Sequence, residues 1–186
     1  KCEDPDSVVT VEKRIEESRS LHGLLNPVWL MPIIESALGI EKAFAIASSS
    51  SKIVAMAIGL EDLTADIGVQ RTKEGGESLY ARSRLVMAAR AAGVQPIDSV
   101  FSDVEDMEGL LKNVLQSKSL GVEGMGCIHP RQIAVIRRGF APGNDEIERS
   151  AKIVKAYEEA RMKGLGVVAL GSKMIDPPVV KRALRT

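Results

Sequence analysis

Short apolar runs alternate along this chain with stretches of helical periodicity, and this alternation limits the possible folds more than any other feature. Four runs have the length and composition of buried strands: residues 28–34, 53–58, 94–97 and 124–128. The segments between them place apolar residues at helical intervals, most clearly in Met107, Leu110, Leu111, Val114 and Leu115. Because parallel strands need crossovers of helical length, four such units in series predict a parallel sheet covered by helices.

Two architectures contain a sheet of this kind. One is a compact doubly wound sheet, and the other is part of an eight-unit (β/α) barrel, which typically needs about 250 residues. The chain has 186 residues, which suffices for one domain with a sizeable core. The apolar pattern leaves both architectures open.

The chain changes character after the fourth unit. Residues 140–143 read as a linker, and Asn144 is predicted to cap a charged helix. Residues 164–171 are rich in turn residues around a short apolar run, and Pro177 is predicted to open a last helix. Because this tail is too polar for another sheet-forming unit, we expect an appendage that packs on something else.

Composition and charge exclude several classes of protein. The 25 Lys and Arg residues balance the 25 Asp and Glu residues, so no basic surface for nucleic acid is expected. No apolar run reaches the roughly 20 residues of a membrane helix, and no signal peptide is visible. Cys2 and Cys127 stand in no metal-binding or redox spacing. We therefore expect a cytoplasmic protein with reduced thiols.

Carboxylates follow two consecutive strands at the point where each strand ends. Glu35 follows the first strand, and Glu61 and Asp62 follow the second. Because the carboxyl ends of parallel strands meet at one edge, these acids are expected to converge there. Mg²⁺ usually takes one or two carboxylates and fills its other positions with water and substrate oxygens. The plainer interpretation of any single acid is a solvated loop residue or a helix cap.

Other polar residues have structural interpretations that we favour at this stage. His129 ends the fourth strand, where a hydrogen bond that orients the loop is more common than a proton-transfer role. Asp176 precedes Pro177 and fits the N-cap of the last helix. Arg82, Arg84 and Arg90 are predicted to form a solvated helix face with local ion pairs.

Seven short segments, in this order, resemble the citrate lyase β-subunit branch of the HpcH/HpaI aldolase and citrate lyase family. They are residues 32–37, 59–62, 66–68 with Arg71, 80–83, 96–98, 128–133 and 173–178. Each segment alone is a weak signal, whereas the ordered set is specific. The resemblance covers nearly the whole chain from about residue 32 onward.

The resemblance implies a (β/α)₈ barrel of the TIM type with a C-terminal helical extension, assembled as a homo-oligomer, a trimer or hexamer. Here we expect the C-terminal part of the barrel, about four units, over residues 1–139 and the extension over residues 140–186, packed on a neighbouring subunit. Family members carry further residues in front, including an Arg that grips the oxo-acid, and this chain lacks them. Because four units leave two open strand edges, this chain alone is not expected to close a barrel.

The resemblance also implies a reaction, the Mg²⁺-dependent retro-Claisen cleavage of a citryl thioester to oxaloacetate and an acetyl thioester. Glu35 and Asp62 are the implied Mg²⁺ ligands. The backbone N–H groups of Leu60, Glu61 and Asp62 are expected to bind the oxo-acid carboxylate. Asp176 matches the family's acid/base, which acts in the site of a neighbouring subunit.

The thioester is expected to run past Asp98 and the loop of His129 and Pro130. It is carried by coenzyme A or by an acyl carrier protein, and other citrate lyase subunits are implied as partners. Two alternatives stay open. One is a malyl-CoA or citramalyl-CoA lyase on the same scaffold, and the other is a CoA-ester-binding paralogue without turnover. No nucleic acid or membrane is expected as a partner.

Overall fold

The computed structural model describes residues 1–165, 168–170 and 173–186. The described residues form two compact units, Lys1–Phe140 and Ala141–Thr186. None of the helices in the described part of the chain is long and apolar enough to cross a membrane.

A four-stranded parallel sheet is the centre of the first unit. Its strands are β1 (Ile33–Ile34), β2 (Ala55–Ile58), β3 (Gln95–Asp98) and β4 (Gly124–Met125), in the order β1-β2-β3-β4. The register places Ile34 beside Ile58, Ala57 beside Ile97, and Asp98 beside Met125. The predicted parallel sheet is confirmed, with strands shorter than the apolar runs that contain them.

Helices precede, connect and follow these strands along the chain. They are α1 (Pro5–Leu21), α2 (Ala37–Glu41), α3 (Ala43–Ala47), α4 (Leu60–Asp66), α5 (Leu79–Ala92), α6 (Met107–Leu120) and α7 (Pro130–Phe140), with a 3-10 turn at Gly76–Ser78. Both α5 and α6 end at a glycine in the left-handed region, Gly93 and Gly121. This conformation is nearly free of steric cost for glycine alone, which explains why these two helices stop where they do.

The hydrophobic core lies between the sheet and the helices that precede and follow β2. All four residues of β2 are buried, and Met56 is fully enclosed. Ile34 of β1, Ile46 of α3 and Leu85 of α5 belong to the same cluster. Packing on both faces explains why β2 reads in the sequence as a continuous apolar run.

The sheet of the described residues does not close on itself. Its outer strands are β1 and β4, and no further strand of the described residues pairs with either one. The expectation that this chain alone forms an open set of about four units is therefore confirmed.

The second unit holds two helices and a hairpin. Its elements are α8 (Asn144–Met162), β5 (Val168–Leu170), β6 (Lys173–Ile175) and α9 (Pro177–Ala183). Strands β5 and β6 pair antiparallel, with Val168 beside Ile175. The sequence predicted helices only, because the short apolar run among turn residues gave no clear strand signal. Residues 166–167 and 171 of the predicted turn-rich segment lie outside the described residues.

Both helix starts of this unit can be compared with the prediction. Gly143, and not Asn144, occupies the N-cap of α8, since its carbonyl accepts the N–H of Ile147 at 3.0 Å. Pro177 opens α9 as predicted.

Candidate metal and active site

Glu35 and Asp62 stand at the carboxyl ends of neighbouring parallel strands. Glu35 directly follows β1, and Asp62 lies in the first turn of α4, which directly follows β2. The Glu35 side chain is 14% exposed and that of Asp62 is 51% exposed. A hydrogen bond from the Lys1 ammonium, and then the nearby Glu35 carboxyl group, hold the pKa of Asp62 below its usual value. The structure thus brings the two predicted carboxylates together.

A positively charged side chain lies against this carboxylate pair. Lys1 Nζ is 2.7 Å from Asp62 Oδ1. The pair therefore accommodates a cationic group next to Asp62. No group of three or more His, Cys, Asp or Glu in the described part of the chain is arranged to hold a metal ion. Two carboxylates alone fit an ion such as Mg²⁺, which keeps water and substrate oxygens in its other positions.

Gly59 leaves the space that the Glu35 carboxylate occupies. A Cβ atom at position 59 would lie 2.6 Å from Glu35 Oε2 and 2.9 Å from Glu35 Cβ. Its φ of −106° is open to any residue, so the requirement for glycine comes from this close approach. The Gly59 N–H donates to the Ile34 carbonyl at 2.9 Å, which fixes the end of β2 against the end of β1.

Leu60 lies where the predicted carboxylate-binding turn begins. Its N–H donates to Ser99 Oγ at 3.1 Å, and its side chain is buried in the core. This bond engages the only backbone donor of Leu60, and its role in substrate binding stays a prediction. Glu61 Oε1 accepts a hydrogen bond from Arg71 Nη1 at 2.7 Å on the exposed side of α4. The N–H groups of Glu61 and Asp62 remain the predicted carboxylate donors.

Asp66, at the other end of α4, ties this helix to the turn that carries Glu35. Its Oδ2 accepts the N–H of Ala37 at 2.8 Å. Ser36 caps α2 by accepting the N–H of Gly39 at 3.2 Å. The turn after β1 is therefore held from two sides.

Asp98 is buried in an ion pair with Arg82, in which each side chain is 2% exposed. Arg82 Nε is 3.0 Å from Asp98 Oδ2, and the Ser99 N–H donates to Asp98 Oδ1 at 2.8 Å. The solvated position predicted for Arg82 is wrong, because a buried charge of this kind requires a buried partner of opposite charge. Thioester binding by Asp98 stays a prediction.

The loop of His129 and Pro130 is partly exposed and is held by hydrogen bonds. His129 Nδ1 accepts the N–H of Arg131 at 3.2 Å at the start of α7, which Pro130 opens. The fully buried Gln132 accepts the Ile128 N–H at 3.0 Å and donates to the Phe101 carbonyl at 2.9 Å. These contacts agree with a histidine that orients the loop. Pro130 is exposed and His129 is half-buried, and both remain candidates for thioester contact.

Asp176 occupies the N-cap of α9 in the second unit. Its Oδ1 accepts the N–H of Val179 at 3.1 Å, and Pro177 follows at the first helical position. The predicted cap is confirmed. A capping carboxylate retains acceptor capacity on its second oxygen, so this contact leaves the acid/base role as a prediction.

Comparison with known proteins decides between the two architectures that the apolar pattern left open. The sequence profile of the HpcH/HpaI aldolase/citrate lyase family matches residues 1–130. The chain belongs to this family. The barrel-type α/β fold is thereby established in place of the doubly wound sheet.

Relatives in this family include several lyases. Citrate lyase subunit beta of Escherichia coli K12 is 38% identical over 98% of this chain and 61% of its own length. Human mitochondrial citramalyl-CoA lyase is 31% identical over all of this chain and 57% of its own length. The chain thus spans about three-fifths of the length of the curated relatives that it matches.

Solved structures of family members show the same fold. The CitE protein of Mycobacterium tuberculosis, in complex with magnesium, acetoacetate and coenzyme A, matches 85% of this chain with a TM-score of 0.73 and 30% identity, over 59% of its own chain. A citrate lyase of Burkholderia xenovorans matches all of this chain with a TM-score of 0.85. That match has 20% identity and covers 60% of the other chain, so it supports the fold alone.

Two residues that contact the candidate site have no role predicted from the sequence. Gly59 was noticed only as part of a motif, and Ser99 was not noticed. A glycine between a strand and a helix, where Ser, Thr, Asp or Asn is usual, is a signal that could have identified Gly59. Ser99 gives no such local signal, because the N–H that it accepts is 39 residues away.

Proposed function

We propose that the full-length protein is a Mg²⁺-dependent carbon–carbon lyase that cleaves a citryl thioester to oxaloacetate and an acetyl thioester. The observation that carries this proposal is the pair of Glu35 and Asp62 at the ends of adjacent strands, with the Lys1 ammonium group against Asp62. The likeness to citrate lyase β subunits supports the substrate, and the M. tuberculosis relative in complex with oxaloacetate and magnesium supports the metal.

In this proposal, Glu35 and Asp62 hold the ion, and Gly59 gives the Glu35 carboxylate its position. A bound Mg²⁺ would supply Lewis-acid stabilisation of charge that develops on the substrate oxygen. The N–H groups of Glu61 and Asp62, at the start of α4, donate hydrogen bonds to the oxo-acid carboxylate. The Glu61 side chain accepts a hydrogen bond from Arg71.

The bond that breaks joins the hydroxyl-bearing carbon to the α-carbon of the thioester. Its electron pair passes to the thioester enolate, while the hydroxyl gives its proton to the Asp176 carboxylate of a neighbouring subunit and becomes the keto group of oxaloacetate. Asp176 then returns this proton to the enolate carbon, which yields the acetyl thioester. The His129 and Pro130 loop guides the thioester arm, on coenzyme A or an acyl carrier protein.

The proposed assembly is a homo-oligomer, a trimer or hexamer, because Asp176 serves the site of another subunit. Association with other citrate lyase subunits, including an acyl carrier protein, follows from the likeness to citrate lyase subunit beta.

A second candidate is cleavage of malyl-CoA or citramalyl-CoA. The observation that favours it is the 31% identity to human citramalyl-CoA lyase and to the L-malyl-CoA/beta-methylmalyl-CoA lyase of Cereibacter sphaeroides. The same carboxylate pair would serve that reaction, so the two candidates differ in substrate only.

Incubation of the full-length protein with citryl-CoA, malyl-CoA and citramalyl-CoA, with Mg²⁺ or with EDTA, tests both candidates. We expect oxaloacetate from citryl-CoA in the presence of Mg²⁺ only, and none from Glu35→Ala. Faster cleavage of malyl-CoA or citramalyl-CoA would favour the second candidate. Tight binding of all three esters without turnover would instead identify a CoA-ester-binding paralogue.

A further inference from the structure

The helix that carries Asp62 has no side-chain cap of its own. Gly59 occupies the N-cap of α4 and offers no side-chain acceptor. Helices usually begin with Ser, Thr, Asp or Asn, whose oxygen accepts an N–H of the first turn. Such a residue does not fit here, because its Cβ would lie 2.6 Å from Glu35 Oε2. The position of the Glu35 carboxylate therefore prevents a side-chain cap at position 59 of α4.

Ser99 replaces that cap from the neighbouring strand. It directly follows β3, which pairs with β2, and its Oγ accepts the Leu60 N–H at 3.1 Å. Ser99 is 6% exposed and Leu60 is 4% exposed, so water has little access to this donor. A buried N–H without a partner lowers the stability of the fold, so this single hydrogen bond is important for the start of α4.

Buried side chains hold Ser99 in place. Its N–H donates to Asp98 Oδ1 at 2.8 Å, and Asp98 is held by Arg82. Arg82 Nη2 also donates to Ser117 Oγ at 2.8 Å. The contacts form a continuous path from α5 and α6, through the end of β3, to the first residue of α4.

We infer that Ser99 is a positioning residue for the metal site. Its hydroxyl fixes the first turn of α4, which carries Asp62, and so allows position 59 to remain a glycine. Gly59 in turn leaves room for the Glu35 carboxylate. One serine that directly follows the third strand thus sets the geometry between the two ligands that follow the first and second strands. This role rests on the proposed Mg²⁺ binding by Glu35 and Asp62.

Two measurements on full-length Ser99→Ala test the inference. Hydrogen exchange without metal reports the cap directly, and we expect faster exchange at residues 60–62. Titration calorimetry with Mg²⁺ reports the consequence, and we expect binding about fivefold weaker, the size typical of a lost cap. Ser99→Thr keeps the hydroxyl acceptor and should stay within about twofold of the parent.

Thr64→Val is the matched control. Thr64 lies in the same helix, is 3% exposed and donates its hydroxyl to the Leu60 carbonyl at 2.8 Å. This variant removes a buried hydroxyl from α4 and leaves the Leu60 N–H bonded. We expect it to lower thermal stability without changing Mg²⁺ affinity, which separates positioning from general weakening of the helix.

The outcomes distinguish this inference from the proposed function. Unchanged exchange at residues 60–62 in Ser99→Ala overturns the cap, whatever the metal does. Faster exchange with the parent's Mg²⁺ affinity overturns the positioning role alone, provided that Glu35→Ala has lost binding. A parent protein that binds no Mg²⁺ overturns the proposed function and the positioning role together. Weaker binding in Ser99→Ala and not in Thr64→Val supports the inference.

Discussion

The buried ion pair between Arg82 and Asp98 supports the prediction with the largest expected effect. Asp98→Asn keeps the shape of the side chain and the Oδ1 acceptor of the Ser99 N–H, but it removes the charge that compensates Arg82. Both side chains are 2% exposed, so solvent cannot take the place of the lost carboxylate. Removal of one partner from such a pair costs about 3–5 kcal/mol. That loss is a large share of the roughly 5–15 kcal/mol by which domains are stable.

Urea unfolding followed by circular dichroism measures this effect as a lower midpoint at an unchanged slope. Glu123→Gln is the control, because its pair with Arg90 is about one-third exposed and such pairs contribute about 0–1 kcal/mol. The double variant Arg82→Met and Asp98→Asn should recover much of the loss, since the unpaired charge is then gone. A thioester-binding Asp98 would behave differently, with parental stability and a raised KM. An Asp98→Asn protein within about 1 kcal/mol of the parent would refute the buried-pair argument.

Two further predictions concern the turn at Glu35 and the loop at His129. Gly59→Ala should displace the Glu35 carboxylate and weaken Mg²⁺ binding by about 10- to 100-fold, measured by calorimetry, whereas Gly143→Ala meets no atom within 4 Å and should bind as the parent does. Parental affinity in Gly59→Ala would contradict this. Gln132→Leu should lower the free energy of unfolding by about 1–3 kcal/mol in total, because the partly buried hydrogen bonds to the Ile128 N–H and the Phe101 carbonyl are lost. Gln116→Leu, at a partly exposed position, is the control. A urea midpoint of Gln132→Leu equal to that of Gln116→Leu would show that the hydrogen bonds of Gln132 do not stabilise the loop.

Periodicity and strand ends predicted the part of the fold that is encoded locally. The run that contains Met56 is apolar throughout because β2 is buried on both faces. A strand buried in this way is recognisable in the sequence as a continuous apolar run. Glu35 and Asp62 were found because parallel strands present their carboxyl ends at one edge.

The contacts that the sequence did not predict share one physical cause, which is pairing between residues far apart in sequence. Arg82 looked like a surface residue because helical spacing carries no information about Asp98, which lies 16 positions further along the chain. Leu60 looked like a free donor because its acceptor, Ser99, directly follows another strand. A buried charge or donor is recognisable only when its partner is known, so such contacts require the structure.

Asp176 is the residue for which a structural and a catalytic role make opposite predictions. As the N-cap of α9 it accepts one N–H, and an amide oxygen does this equally well. Asp176→Asn should therefore leave stability unchanged. An amide cannot donate a proton to an enolate, so a catalytic role predicts a loss of about 10²–10⁴-fold in kcat. Asp106→Asn is the matched control, because Asp106 caps α6 through the Gly109 N–H at 2.8 Å and has no proposed chemical role.

The proposed shared site allows a further test, whose positive result a purely structural cap could not produce. If Asp176 acts in the site of a neighbouring subunit, full-length Asp176→Asn and Glu35→Ala are each inactive for a different reason. A mixed oligomer then contains some sites with an intact carboxylate pair from one subunit and an intact Asp176 from the other. We expect activity to appear when the two variants exchange subunits, and to be absent when either is mixed with itself. Mass spectrometry should first verify that the variants have exchanged subunits. If activity is then still absent, the shared site is refuted. An active Asp176→Asn enzyme would leave this residue as a helix cap alone.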